Sequence, residues 1–91
     1  INALPAGLWP GAPAGAAVIG LRPEHIAHDH GPPAQVIRVE RLGDQTRLHL
    51  TLAGRALVTL ADPHTTLEPG DALPVAPRNP LWFDAAGARI A

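Results

Sequence analysis

Glycine and proline supply 20 of the 91 residues, and they fall between short apolar runs. Proline has no backbone N–H and its ring clashes with the preceding turn, so it breaks a helix. The longest candidate helix would have to cross Pro23, Pro32 and Pro33, and no stretch sustains a helical period. What remains is short strands punctuated by turns, the pattern of an all-β domain. In Arg47–Ala53, Leu48, Leu50 and Leu52 alternate with Arg47, His49 and Thr51. A period of two puts the leucines on the core face and the polar residues on the other. Ala53–Gly54–Arg55 reads as a tight turn, and Ala56–Leu60 returns as the second strand of a hairpin. Ala17–Leu21, Ala34–Leu42, Leu73–Ala76 and Leu81–Phe83 read as further strands, and Gly87–Ala91 as a final edge. Six or seven short strands at roughly 8–12-residue spacing predict a small barrel or sandwich. Arg22–Pro33 reads as a polar loop. Residues 1–16 read as a linker or extended segment leading into the domain, with Leu4, Leu8 and Trp9 as possible anchors, and residues 17–91 as the barrel.

Composition narrows the chemistry. A chain this short buries only about 60–65% of the surface its unfolded form exposes. Of its 46% hydrophobic residues, 17 are Ala and only 25 are larger, so the core is thin. Seven Arg, no Lys and a net charge of −1 argue against a nucleic-acid binder, which needs clustered positive charge. With no Cys there is no disulfide, thiolate metal site or Cys nucleophile. With no Ser there is no Ser-His-Asp triad, and with no Lys there is no phosphate-cradling P-loop. No apolar run approaches the about 18 residues that span a membrane. No methionine occurs, so Ile1 is expected to mark a fragment or a processed product rather than a natural start.

Three groups of residues carry chemical possibilities. Pro23 holds Arg22 extended, so Arg22 and Glu24 are expected to project to one side, pairing with each other or docking on a partner. His25, His28 and His30, with Glu24 and Asp29, place five potential ligands in seven residues and form a weak metal candidate. Nothing in the sequence supplies the outer shell that orients such ligands, so no metal is assigned. Trp82 and Phe83 are strand neighbours and cannot both enter the core by one face; one is expected to point outward. Gly43, Gly54, Gly70 and Gly87 read as turn glycines, and Leu67-Glu68-Pro69-Gly70-Asp71 places Pro and Gly where a type II turn wants them. No catalytic constellation is present.

Several segments resemble one known domain. Gly20-Leu21-Arg22-Pro23-Glu24-His25-Ile26 is similar to the G-I/L-R-P-E-H/D-I/L signature of the TOBE domain. That domain is the C-terminal, OB-like β-barrel of ABC-importer ATPase subunits of the maltose and glycerol-3-phosphate type. Val39-Glu40-Arg41-Leu42-Gly43-Asp44-Gln45-Thr46-Arg47-Leu48-His49, the turn Leu67-Glu68-Pro69-Gly70-Asp71, and Leu81-Trp82-Phe83-Asp84 with Gly87 and Arg89-Ile90 resemble further family elements in the same order. Asn2-Ala3-Leu4-Pro5 is similar to the N-x-L-P with which the domain opens. The stretch between Pro5 and Ala17 is shorter than the family pattern, with room for one strand or hairpin fewer.

The resemblance implies a small OB-like (TOBE/MOP-like) barrel that acts as the regulatory and dimerisation domain of a sugar or sugar-phosphate importer's ATP-binding subunit. Catalysis, ATP and Mg would lie in an N-terminal domain outside this chain, with no cofactor in this segment. It implies interface or docking roles for Arg22, Glu24, Trp82, Phe83 and Asp84, and structural turns at Gly43, Gly70 and Asp71. Partners would be a second copy, membrane permease subunits and regulatory proteins, but no nucleic acid. The location would be cytoplasmic, peripheral to the inner face of the membrane. An alternative is an oxyanion- or small-ligand-binding module, free-standing or paired, using Arg22, Arg38 or Thr46. The molybdate-binding relatives of the fold open with an S-A-R-N-type motif that this sequence lacks.

Overall fold

The alternating leucines build the centre of the molecule. In the computed structural model, which describes residues 1–90, strand β5 (Thr46–Leu52) turns Thr46, Leu48, Leu50 and Leu52 inward. It lies between β4 (Pro33–Arg41) and β6 (Arg55–Ala61), and β7 (Ala72–Pro74) completes a four-stranded antiparallel sheet in the order β6-β5-β4-β7. The β5–β6 hairpin turns on Ala53 and Gly54, both at positive φ (51° and 75°), the combination a two-residue type I′ turn requires. Strand β4 carries a bulge between Val36 and Arg38, which leaves Ile37 exposed. Opposite the bulge, Glu68–Asp71 forms the expected type II turn. The Asp71 N–H donates to the Glu68 carbonyl at 3.0 Å, and Gly70 sits at φ 97°. The Gly70 N–H and the Asp71 carbonyl then bond Val36, seating the turn against β4.

Two smaller sheets cover the other side of the core. Strands β1 (Asn2–Pro5), β2 (Val18–Leu21) and β9 (Leu81–Phe83) form one, in the order β1-β2-β9. Strands β3 (Ile26–Ala27) and β8 (Ala76–Pro77) form the other. All pairings are antiparallel, and beside the nine strands the described residues hold one three-residue 3-10 turn, Ala6–Leu8, after β1. The architecture is that of a small OB-like domain assembled from several short sheets. Its fully buried side chains, Ile19, Leu21, Val36, Leu48, Leu57 and Val75 foremost, come from the large sheet, β2 and the link between β7 and β8. Each such residue contributes about 1.5–3 kcal/mol by leaving water.

Several elements differ from the sequence expectation, each for a long-range reason. The N-terminal segment is not only a lead-in: Asn2–Pro5 pairs residue by residue with β2, and Leu4 and Trp9 are buried. The loop over residues 22–33 contains β3, which exists only because β8 supplies its partner. The single strand expected over Leu73–Ala76 is two. Strand β7 pairs with β4, and β8 switches to β3. Val75, between them, is held off both ladders: its N–H bonds the Pro32 carbonyl and its carbonyl accepts Trp9 Nε1–H, both at 3.0 Å. The expected edge at 87–91 reduces, among the described residues, to one bridge between Phe83 and Arg89.

Gly31 marks where the 22–33 loop presses on this switch. At φ 106°, a Cβ there would lie 2.1 Å from the Val75 carbonyl oxygen, whereas Gly43, at φ 92°, faces open space. Both pay for a left-handed side chain, about 1–2 kcal/mol. Only Gly31→Ala also meets backbone. Urea unfolding is expected to give a loss of about 1 kcal/mol for Gly43→Ala and at least about 2 kcal/mol more for Gly31→Ala. Equal losses would show that the loop does not bear on β8.

Candidate functional site

Pairing of β3 with β8 folds residues 24–30 over the end of β6 and opens a groove of about 570 Å3. Ile26, Ala27, Leu60 and Ala61 give it an apolar floor, and Glu24, His28, Asp29, Gln45, Asp62 and Arg78 its polar walls. His28 is anchored. Its Nε2 lies 2.8 Å from Thr59 Oγ1, and the Thr59 hydroxyl donates its one proton to the Pro23 carbonyl at 3.1 Å. The hydroxyl can therefore only accept from His28, which fixes the Nε2–H tautomer and leaves Nδ1 as an acceptor. Burial first, and the Arg78 charge second, hold the His28 pKa below its ordinary value. Arg78 is placed by an Nη2–H bond to the Glu24 carbonyl at 3.3 Å. On the rim, His30 Nδ1 lies 2.7 Å from Asp29 Oδ1, and that bond keeps the Asp29 carboxyl below the usual carboxylate range.

The three clustered histidines thus separate. His28 turns to Thr59 and His30 to Asp29, while the His25 backbone closes a turn on the Arg22 carbonyl. Among the described residues no three His, Asp or Glu side chains are grouped to hold a metal. Arg22 and Glu24 are both exposed, and no ion pair joins them among the described residues. Arg22, Arg38 and Thr46 do not converge on an anion. Thr46 is fully buried in the interior, and Arg38 is on the outer face bonded to Glu40. Gly43 and Gly54 sit in hairpin turns that lead into strands.

Trp82 and Phe83 divide as alternation requires. Trp82 packs against the core opposite Ile19. Phe83 lies on the outer face of the β1-β2-β9 sheet, over Gly20, where a Cβ would come 2.9 Å from its ring. Ile1 reaches the same spot, at 3.2 Å, and is 73% exposed. Ala3, Pro5, Val18, Gly20 and Leu81 share this face by register, and Arg89, the bridge partner of Phe83, borders it. Asp84 serves the adjoining turn: its Oδ1 accepts the N–H groups of Ala86 and Ala88 at 2.9 Å each. Asp71 does likewise for Glu68, at 2.9 Å.

A second polar cluster lies on the opposite sheet surface from the core. On the outer face of β4 and β5, Glu40 receives His49 Nε2, with Arg38 at 3.4 Å and Arg47 at 3.9 Å. The hydrogen bond to His49 is the main reason its carboxyl is held below the usual range, with the two arginines adding to it. The alternation of β5 marks Arg47 and His49 as outward, but only the cross-strand register, Glu40 opposite Arg47 and Arg38 opposite His49, brings the four together.

Comparison with known proteins gives the family of the fold. Residues 19–89 match the TOBE domain model, and the chain belongs to that family. It is 41% identical over 81 residues to the sn-glycerol-3-phosphate import ATP-binding protein UgpC of Cupriavidus pinatubonensis, covering 81% of this chain and 22% of that protein. It is 37% identical over 76 residues to the uncharacterized ABC transporter ATP-binding protein y4oS of Sinorhizobium fredii, covering 79% of this chain and 20% of that protein. A UgpC of a Ruegeria species is 39% identical over 88 residues, covering 89% of this chain and 25% of that protein. The chain therefore spans about a fifth to a quarter of the length of these relatives. No helix among the described residues is long and apolar enough to cross a membrane.

The state of His28 gives a pH dependence. Its native pKa is depressed, so between the ordinary histidine value of about 6.5 and that lower value the unfolded chain binds more protons. Stability is expected to fall as pH drops from 7 towards 5. In thermal unfolding, His28→Gln should remove that slope while leaving the loss at lower pH that comes from the depressed carboxyls of Glu40 and Asp29. A wild-type curve as flat as the variant's would contradict the assignment.

Proposed function

We propose that this chain is the C-terminal regulatory and dimerisation domain of the ATP-binding subunit of a sugar or sugar-phosphate importer. Membership of the TOBE family and the names of the relatives support the placement. ATP binding, magnesium and hydrolysis fall to a part of the subunit outside this chain. The permease is met through that larger subunit, which places the domain at the cytoplasmic face of the membrane without spanning it.

The observation that carries the dimerisation role is the apolar outer face of the β1-β2-β9 sheet. Phe83, Leu81, Val18 and Ile1 lie together around a glycine, and no strand or helix among the described residues covers them. An aromatic ring at the centre of such a face is the residue type that dominates contact energy when a partner excludes water from it. A second copy of the same face is the occupant proposed. Arg22 and Glu24, exposed on the loop that leaves β2, are proposed as a separate docking patch for the neighbouring ATPase domain.

Sedimentation of the chain across a concentration series tests this. The wild type is expected to dimerise at tens to hundreds of micromolar. Phe83→Ala and Leu81→Asn should each raise the dimer Kd at least about 10-fold, the effect of losing about 1.4 kcal/mol. Their thermal unfolding separates lost contact from lost fold. A wild-type monomer at millimolar concentration would overturn the proposal.

A further inference from the structure

The groove beneath residues 24–30 has a chemistry of its own, and it shares no lining residue with the apolar face. Its volume, about 570 Å3, lies within the range of small-molecule sites, about 300–1,000 Å3. Three carboxylates, Glu24, Asp29 and Asp62, line it against one guanidinium, Arg78. Counting only the carboxylates and the guanidinium, the lining has a formal charge of −2, which disfavours a phosphate or other oxyanion. A compact cation meets Arg78 on the same wall, and no metal-ligating group of three is present among the described residues.

A neutral ligand that both donates and accepts hydrogen bonds satisfies all of these groups. On the accepting side, Thr59 pins His28 so that Nδ1 keeps its lone pair. Asp62 spends Oδ1 on the His64 N–H, at 2.7 Å, and keeps Oδ2 for another donor. On the donating side stand the Arg78 guanidinium, already held by the Glu24 carbonyl, and the Gln45 amide. Beneath them, Leu60, Ala61 and Ile26 offer an apolar floor for carbon-bound hydrogens. Acceptors and donors beside apolar side chains match the hydroxyls and C–H face of a sugar. We infer that this groove is a binding site for a neutral sugar, held by Asp62, Arg78, Gln45 and the free nitrogen of His28. In a domain that regulates an importer, such a site would report the concentration of an uncharged carbohydrate. The binding step itself does not rest on dimerisation.

Titration of the isotope-labelled chain with maltose, glucose, glycerol 3-phosphate and spermidine, followed by amide NMR, tests the inference. Maltose or glucose is expected to shift the amides of Ala27, Asp29, Gln45, Ala61 and Asp62 with a millimolar or tighter Kd. Asp62→Asn, which retains the bond to His64, and Arg78→Gln should each weaken binding at least about 5-fold with the remaining spectrum unchanged. Three results would overturn it: no groove shifts with either sugar at 50 mM, shifts scattered outside the groove, or tighter binding of glycerol 3-phosphate or spermidine at the same residues. Sedimentation of the same samples reads the dimer separately, so failure of one proposal is distinguishable from failure of the other.

Discussion

One side chain joins the two larger sheets. Strand β6 is an edge of the four-stranded sheet, and an edge presents unpaired N–H and C=O groups. At Val58 both are taken by the carboxamide of Asn2. Its Oδ1 accepts the Val58 N–H at 2.8 Å, and its Nδ2 donates to the Val58 carbonyl at 2.7 Å. The second Nδ2 proton goes to the Leu21 carbonyl of β2 at 3.1 Å. Asn2 thus behaves as an extra peptide unit in the ladder, where a real strand would continue. One residue pair further along, the Leu60 N–H finds the Pro23 carbonyl, at 3.2 Å. The closure of the domain rests on a side-chain amide and a proline carbonyl, which explains how an OB-like shape survives with three short sheets in place of one continuous one.

Both proposed surfaces depend on that closure. The apolar face exists because β1 and β9 flank β2, and β1 is fixed at its first residue by Asn2. The groove exists because residues 22–30 lie over β6, anchored where Pro23 meets Leu60 and Thr59 and where His28 meets Thr59. Thr59 is fully buried with its hydroxyl satisfied on both sides, so the polar link costs little despite its depth. Strand β2 therefore leads from one surface into the other: Val18 belongs to the apolar face, and the chain leaving Leu21 reaches Glu24 on the groove wall.

What could be read from sequence was what local chemistry decides. The period of two in β5, the hairpin turn at Gly54 and the Pro69-Gly70 turn are each specified within a few residues. The division of Trp82 and Phe83 between two faces follows from alternation alone. The TOBE resemblance rested on collinear motifs and agrees with the family match over residues 19–89. What could not be read were pairings across the chain. Asn2–Pro5 is a strand because β2 is beside it, yet its Pro, Ala and Gly surroundings have the composition of a loop. The two residues of β3 have no signal without β8. The groove combines residues from 24 to 78, and the Glu40 cluster needs a register that only the folded sheet supplies. The clustered histidines do not share a partner: His28 bonds Thr59 and His30 bonds Asp29.

Native-state hydrogen exchange at Val58 tests the closure most directly. Asn2→Leu keeps the branching at Cγ and removes all three bonds. With the Asn2 amide as its partner, the Val58 N–H is expected to exchange slowly in the wild type. In the variant it should exchange at least about 30-fold faster, the equivalent of about 2 kcal/mol, with the Leu60 N–H following it. Fast exchange at Val58 in the wild type, or protection that survives Asn2→Leu, would show that the two sheets are held together by something else.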